Sequence, residues 1–169
     1  MAESFAKDVS TSELLSRFFD ESVSSELCKS CPNYGAKWSC PPFETPCGYR
    51  KFPTVRLLLR RVAASSGTIA DAYDSERAGF DAEILAAEAS LGGLGMYAGS
   101  CILCGKCARA SGRACLHPDK MRTSLEAVGF DVSKIAREIF GVGIEWGADS
   151  RKPRFATLLG AVFYGGRRA

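Results

Sequence analysis

All eight cysteines of this 169-residue chain fall into two groups of four, and each group has the spacing of a metal site. The first group is Cys28, Cys31, Cys40 and Cys47, and the second group is Cys101, Cys104, Cys107 and Cys115. Both groups lie in stretches rich in proline or glycine that lack hydrophobic periodicity. Because such stretches have no core of their own, we expect bound metal to fix the shape of metal loop one, 28–47, and metal loop two, 101–118.

The second group carries the sharper pattern, two Cys-x2-Cys steps that share Cys104. Bacterial ferredoxins place thiolates around a cluster in this way, in the run C-x2-C-x2-C-x3-C-P. Here the fourth cysteine, Cys115, follows after seven residues, and Pro118 comes soon after it. Structural zinc usually takes two separate pairs joined by a long arm, and a redox dithiol needs one pair at a helix N-terminus. We therefore favour a 4Fe–4S cluster here, with zinc as the alternative.

The first group contains one Cys-x2-Cys pair followed by two single cysteines, a spacing that fits either zinc or a cluster. Cys40 precedes two prolines, which limit backbone freedom beside this ligand. Cys47 is the weakest ligand candidate, because its six-residue gap from Cys40 belongs to no motif. If Cys47 does not bind, a cluster held by three cysteines leaves one iron open, which makes a chemical site.

His117 is the only histidine, and it lies two residues after Cys115. It is a candidate ligand or hydrogen-bond donor to a cluster, and the plainer interpretation is a solvated loop residue. A single histidine near a metal loop gives no support to a Ser-His-Asp triad. The glycines near the second group form neither a dinucleotide-binding turn nor a P-loop, so the sequence gives no support to nucleotide binding either.

The formal net charge of +3 gives no indication of nucleic-acid binding. That value counts the cysteines as neutral thiols, whereas metal ligands are thiolates. A four-thiolate 4Fe–4S cluster contributes a charge of about −2, so two clusters would bring the net charge to about −1. The basic residues are also scattered along the sequence rather than clustered. We expect no nucleic-acid partner.

The sequence predicts a cytoplasmic protein with reduced thiols. No apolar run reaches the length that a membrane span requires. The first residues carry the charges of Glu3, Lys7 and Asp8 and have no apolar segment, unlike a secretory signal. Since thiols stay reduced in the cytosol, the even cysteine count favours metal ligation over four disulfides.

Hydrophobic periodicity predicts a single α+β domain over 1–169, with a short, mostly antiparallel sheet and about three helices. A capping box at Ser10–Glu13 and Asp131 mark two helix starts, and a second capping box is expected at Thr123–Glu126. The predicted helices and strands are a helix after Ser10, a helix at Asp71–Leu91, a strand at Leu94–Gly99, a helix from Val132 to Phe140, and strands at Val142–Trp146 and Phe155–Tyr164. The pattern at Val55–Val62 fits either a helix or a buried strand, and we favour the strand.

The chain resembles a family of uncharacterised prokaryotic proteins that are predicted only to bind metal. The matching segments are Cys31-Pro-Asn-Tyr-Gly-Ala-Lys-Trp-Ser-Cys-Pro-Pro42, Gly99-Ser-Cys-Ile-Leu-Cys-Gly-Lys-Cys107 and the stretch from Cys115 to Val132. The resemblance implies a cytosolic cysteine-cluster protein with iron–sulfur centres, and it implies no particular reaction. It does not extend to Cys47.

Three functions remain open at this stage. The first is a small redox protein in which one or two 4Fe–4S clusters pass single electrons to a redox partner protein or tune a partner enzyme. The second is an enzyme that binds substrate or sulfur at an open iron of the first cluster. The third is a zinc-stabilised interaction module. We favour the first, because the unusual residues of the chain are ligands and none marks a substrate pocket.

Overall fold

The computed structural model describes residues 2–64, 68–145 and 155–166. The helices and strands are β1 (Ala2–Ser10), α1 (Thr11–Phe18), α2 (Glu21–Lys29), β2 (Thr54–Ala63), α3 (Ile69–Leu91), β3 (Leu94–Met96), α4 (Val132–Phe140) and β4 (Phe155–Tyr164). The strands form one antiparallel sheet in the order β1-β2-β4-β3. The prediction of an α+β fold with a mostly antiparallel sheet is therefore confirmed.

The two central strands bury side chains on both faces of the sheet, because successive residues of a strand point in opposite directions. On one face, Leu58 of β2 packs with Phe80 of α3. On the other face, Leu57 of β2 belongs to a core with Leu14 of α1 and Ile135 of α4. Helices thus cover both faces, which is why β4 has few polar side chains.

Local sequence signals place the helix ends correctly. The Ser10 side chain accepts a hydrogen bond from the Glu13 backbone N–H at 3.1 Å, as the capping box predicts. Asp131 caps α4 by accepting from the Lys134 backbone N–H at 2.9 Å. α3 ends at Gly92, whose φ of +62° is a conformation that glycine adopts without strain. The predicted strands in β2, β3 and β4 are also present, although β3 is shorter than expected.

Two predicted elements are wrong. Thr123–Glu126 starts no α-helix: only a 3-10 turn, Glu126–Val128, follows, and the Ser124 hydroxyl accepts from the Ala127 N–H. Residues 142–145 form no strand, and Trp146 lies outside the described residues. The physical reason is that the Val142 N–H donates to the Ala136 carbonyl and completes the end of α4, so it cannot join a sheet.

Two elements were not predicted. β1 is an exposed edge strand that pairs along its whole length with β2. α2 is a short, polar helix that ends at Lys29. The expectation of a continuous loop from Cys28 is therefore corrected, because Cys28 lies in the last turn of α2. Among the described residues, no helix combines the length and the apolar character that crossing a membrane requires.

Candidate metal centres

The second cysteine group surrounds one small cavity, which we call cavity two. Its volume is about 20 Å³. The walls include all four cysteines of this group, Cys101, Cys104, Cys107 and Cys115, together with His117. The His117 backbone N–H also points at the Cys115 sulfur, 3.4 Å away. The structure thus brings together every residue that the sequence assigned to this centre.

The first cysteine group divides. Cys28, Cys31 and Cys40 line a larger cavity of about 150 Å³, which we call cavity one. Cys47 is not part of its wall. It lines two neighbouring clefts beside Pro46 and packs against the hydrophobic core. The structure therefore brings three of the four cysteines of this group to one cavity and places Cys47 elsewhere.

The donor chemistry of both cavities fits a thiophilic metal centre, but the thiols do not converge on one metal position. Within the described ranges, no three or more Cys, His, Asp or Glu side chains form a group that could hold a metal ion. The cysteines are free rather than paired in disulfides. Three or four free thiols on one cavity are the ligand set of zinc or of an iron–sulfur cluster. The ligand role of each cysteine stays a prediction.

Burial keeps several of these thiols protonated. It raises the pKa of Cys28, and the charges of Cys40, Cys31 and Glu126 raise it further. Burial also raises the pKa of Cys40, while a hydrogen bond from Ser39 opposes the shift. The pKa of Cys101 is raised by burial as well, against a hydrogen bond from the Leu103 backbone. A metal that binds here must therefore displace protons from the thiols.

The two cavities share a wall. Ser39 lines cavity two, and Cys40, the next residue, lines cavity one. In the same way Ser100 lines cavity one, and Cys101 lines cavity two. The Ser39 hydroxyl accepts a hydrogen bond from the Cys101 backbone N–H at 3.0 Å, which holds the two segments side by side. Because adjacent Cα atoms are about 3.8 Å apart, the two cavities are immediate neighbours.

Arg109 joins metal loop two to metal loop one. Its guanidinium donates to three backbone carbonyls of the first loop, those of Lys37 (2.9 Å), Cys40 (2.7 Å) and Pro42 (2.6 Å). The same group lies over the Trp38 ring, 5.0 Å from its centre. A planar guanidinium suits such a set of contacts, because its donors are fixed in a fork.

Two further cations lie beside the loops. Lys37 donates to the Ser100 hydroxyl and to the Cys101 carbonyl, both at 3.1 Å. Arg77 is buried in α3, pairs with Asp81 at 2.8 Å and donates to the Ser100 carbonyl at 2.9 Å. These cations anchor the start of metal loop two and place positive charge where thiolate ligands would carry negative charge.

Sequence reasoning missed Glu126, Ser39, Lys37 and Arg109. Lys37 and Arg109 lie inside the cysteine loops, and a basic residue between predicted thiolate ligands is a pattern that could have marked them. Trp38 lies between two first-group cysteines in the sequence, and the structure places it on cavity two. Glu126 carried no such indication, since it was interpreted as part of a capping box.

Comparison with known proteins adds the family. The profile of a family described as "Predicted metal-binding protein (DUF2284)" matches residues 16–160, which include all eight cysteines. No curated protein and no solved structure matches the chain. The match covers most of the chain. It includes the residues that line both cavities, the strands β2 and β3, and most of β4. The chain therefore belongs to the DUF2284 family of predicted metal-binding proteins.

Proposed function

We propose that the protein holds a 4Fe–4S cluster at each cavity and passes single electrons between these clusters and a redox partner protein in the cytoplasm. A 4Fe–4S cluster supplies one-electron redox chemistry at a potential set by its surroundings. The observation that carries the proposal is the shared wall, Ser39–Cys40 and Ser100–Cys101. Because consecutive residues line the two cavities, we expect centres bound there to be close enough for electrons to pass between them.

The charges around the cavities support this function. An iron–sulfur cluster with thiolate ligands is negatively charged, and Lys37, Arg77 and Arg109 lie against the backbone of the two loops. Hydrogen-bond donors and positive charge near a cluster raise its reduction potential. These three residues therefore hold the loops together and also favour the reduced state of a bound cluster.

The experiment is a count of iron and acid-labile sulfide after anaerobic purification. We expect about eight iron and eight sulfide per chain, and a brown protein. Cys104→Ser should remove one half of this content and Cys31→Ser the other half. Reduction of both clusters should give a broadened electron paramagnetic resonance (EPR) spectrum, because neighbouring spins interact. A colourless protein that contains zinc would instead support the interaction module.

A second candidate function, an enzyme with an open iron at cavity one, has one observation in its favour. Cys47 does not line the cavity of Cys28, Cys31 and Cys40. We expect Cys47→Ser to keep the full iron content and the spectra of the wild type. Cys40→Ser is the matched substitution inside the cavity and should lose about half of the iron. Loss of a whole cluster in Cys47→Ser would show a site closed by four cysteines and remove the basis for an open iron.

A further inference from the structure

Cavity one has a fourth potential ligand that the cysteine pattern does not reveal. Glu126 lines this cavity together with Cys28, Cys31 and Cys40. We propose that the Glu126 carboxylate is the fourth protein ligand of the metal centre held by these three cysteines. The inference rests on the proposed function, because it requires a metal centre at cavity one.

Among the residues that the structure describes, the buried Oε2 atom of Glu126 has no hydrogen-bond partner. Such an atom is costly, because a carboxylate oxygen loses its water and gains nothing in return. Buried carboxylates in proteins are normally paired with a cation or coordinate a metal. An unpartnered carboxylate oxygen on a cavity with three thiols is therefore expected if the cavity binds metal.

The nearby cation does not neutralise Glu126. Arg77 is close enough to influence the carboxyl, but its guanidinium is held by both carboxylate oxygens of Asp81 and by the Ser100 carbonyl. Burial raises the pKa of the Glu126 carboxyl, and the backbone N–H of Glu126 and the Ser124 side chain oppose this shift. Within the described residues, Glu126 forms no ion pair and its Oε2 atom has no hydrogen-bond partner.

The backbone holds Glu126 firmly at the wall of the cavity. The preceding residue, Leu125, is fully buried in the core. Its carbonyl accepts from the Phe130 N–H at 3.0 Å, and the Tyr97 N–H donates to the Thr123 carbonyl at 2.8 Å. The turn that follows packs against α2, the helix that carries Cys28. Glu126 and Cys28 therefore line the same cavity from two elements that pack against each other.

A carboxylate ligand would give this centre a distinctive property. Oxygen is a harder and weaker ligand than thiolate for a thiophilic centre, so it exchanges more readily. Cavity one would then hold a cluster with three permanent thiolates and one replaceable carboxylate. Such a centre is closed at rest and accessible to a strong incoming ligand, unlike the four-thiolate centre expected at cavity two.

The test compares the EPR spectrum and the iron content of Glu126→Gln and Glu126→Cys with the wild type, with and without imidazole as the added ligand. In Glu126→Gln we expect an altered signal from the first cluster that shifts further with imidazole. In Glu126→Cys we expect full iron content, a more negative reduction potential and no response to imidazole. Retention of at least about four iron and four sulfide per chain, the content of the second cluster, reports that each variant is folded.

The matched control is Glu44→Gln, which removes a carboxylate beside Cys47 and outside cavity one. It should match the wild type in every measurement. If Glu126→Gln loses the first cluster, the iron content of Glu126→Cys decides whether residue 126 is a ligand. Full iron content in Glu126→Cys would support ligation, and loss of the first cluster in this variant too would count against it.

Glu126 also lines a cavity of about 170 Å³ on its other side, where Thr157 Oγ1 likewise has no partner. If Oε2 faces only that second cavity, Glu126→Gln will leave the first cluster's spectrum unchanged and insensitive to imidazole. That result would overturn the inference and leave the proposed function standing. Wild-type protein without iron and sulfide at cavity one would overturn the proposed function and the inference with it.

Discussion

At the scale of single residues, the two metal loops are joined by polar side chains rather than by a hydrophobic core. Ser39 accepts from the Cys101 backbone, and its own carbonyl accepts from the Thr123 hydroxyl at 2.9 Å. Arg109 makes three of the hydrogen bonds that join the two loops, since its guanidinium donates to three backbone carbonyls. Backbone carbonyls in a loop without regular structure need such partners, because an unpaired carbonyl is costly once it is buried.

Arg109→Lys should destabilise the metal-loaded protein although the charge is kept. A lysine ammonium cannot reach three carbonyls in the fork geometry of arginine, and it loses the stacking on Trp38. We expect the free energy of unfolding in urea to fall by about 1.5–3 kcal/mol. Arg17→Lys on the exposed surface of α1 is the control and should change little. Equal stability of the two variants would contradict the role given to Arg109.

The raised pKa values of Cys28, Cys40 and Cys101 predict how metal binding depends on pH. A thiol with a raised pKa holds its proton more firmly, so metal must displace that proton, and binding tightens as the pH rises. We expect the affinity of the metal-free protein for cobalt(II), followed by its thiolate absorption, to increase up to about tenfold per pH unit for each proton displaced. Thiols of ordinary or raised pKa stay protonated between roughly pH 6 and 8. A cobalt affinity that stays constant over this range would rule out the displacement of protons by the metal.

At the scale of helices and strands, α3 packs closely against β4. Gly160 of β4 lies where a Cβ atom would come within 2.4 Å of Ile84 Cδ1 and 2.9 Å of the Met96 carbonyl oxygen. The helix can approach the sheet this closely only because residue 160 has no side chain. α3 also carries Tyr73 and Arg77, which contact the residues just before Cys101, so this packing fixes one side of the metal loops.

Gly160→Ala should therefore push α3 away from the sheet. The Met96 oxygen belongs to the backbone and cannot rotate aside, so we expect a loss of about 1–3 kcal/mol in the free energy of unfolding. Gly79→Ala on the open face of α3 is the matched control, since nothing lies within 4 Å of its new Cβ. That change should stabilise the protein by about 0.5–1 kcal/mol. Chemical denaturation measures the free energy of unfolding of both variants. An unchanged value in Gly160→Ala would show that the structure accommodates the added methyl group.

At the scale of the whole molecule, the hydrophobic core and the metal loops are separate structures. The core clusters on both faces of the sheet are built from helices and strands, and Cys47 and Cys101 only pack against their edges. The core should fold without metal, whereas the loops have only hydrogen bonds and a few packed side chains to hold them. Metal binding is therefore coupled to ordering of the loops rather than to folding of the sheet.

Hydrogen exchange of Cys104→Ala tests this separation. Removing one thiol should release the centre at cavity two, and residues 101–118 should then exchange faster. β2, β4 and α4 should keep their protection, because their hydrogen bonds and buried side chains do not depend on the loop. Unchanged exchange across 101–118, or faster exchange throughout the sheet, would contradict the division into core and loops.

The sequence by itself determined the features whose signals are local. Capping residues and apolar periodicity located α1, α3 and α4, and short apolar segments located the central strands, because these patterns depend on neighbours a few residues away. Cysteine spacing likewise indicated two metal loops. β1 escaped detection because an exposed edge strand has little apolar alternation, and its stability comes from pairing with β2 far along the chain.

Only the tertiary structure decided how the loops are arranged. Spacing along the chain assigned Cys47 to the first group, but its side chain turns into other clefts and packs against the core. Glu126 lies far from Cys28 in sequence and lines the same cavity because α2 packs against the turn after Leu125. The shared wall of the two cavities depends equally on contacts between distant segments. Contacts of this kind follow from the packing of the whole chain, so no local pattern of residues encodes them.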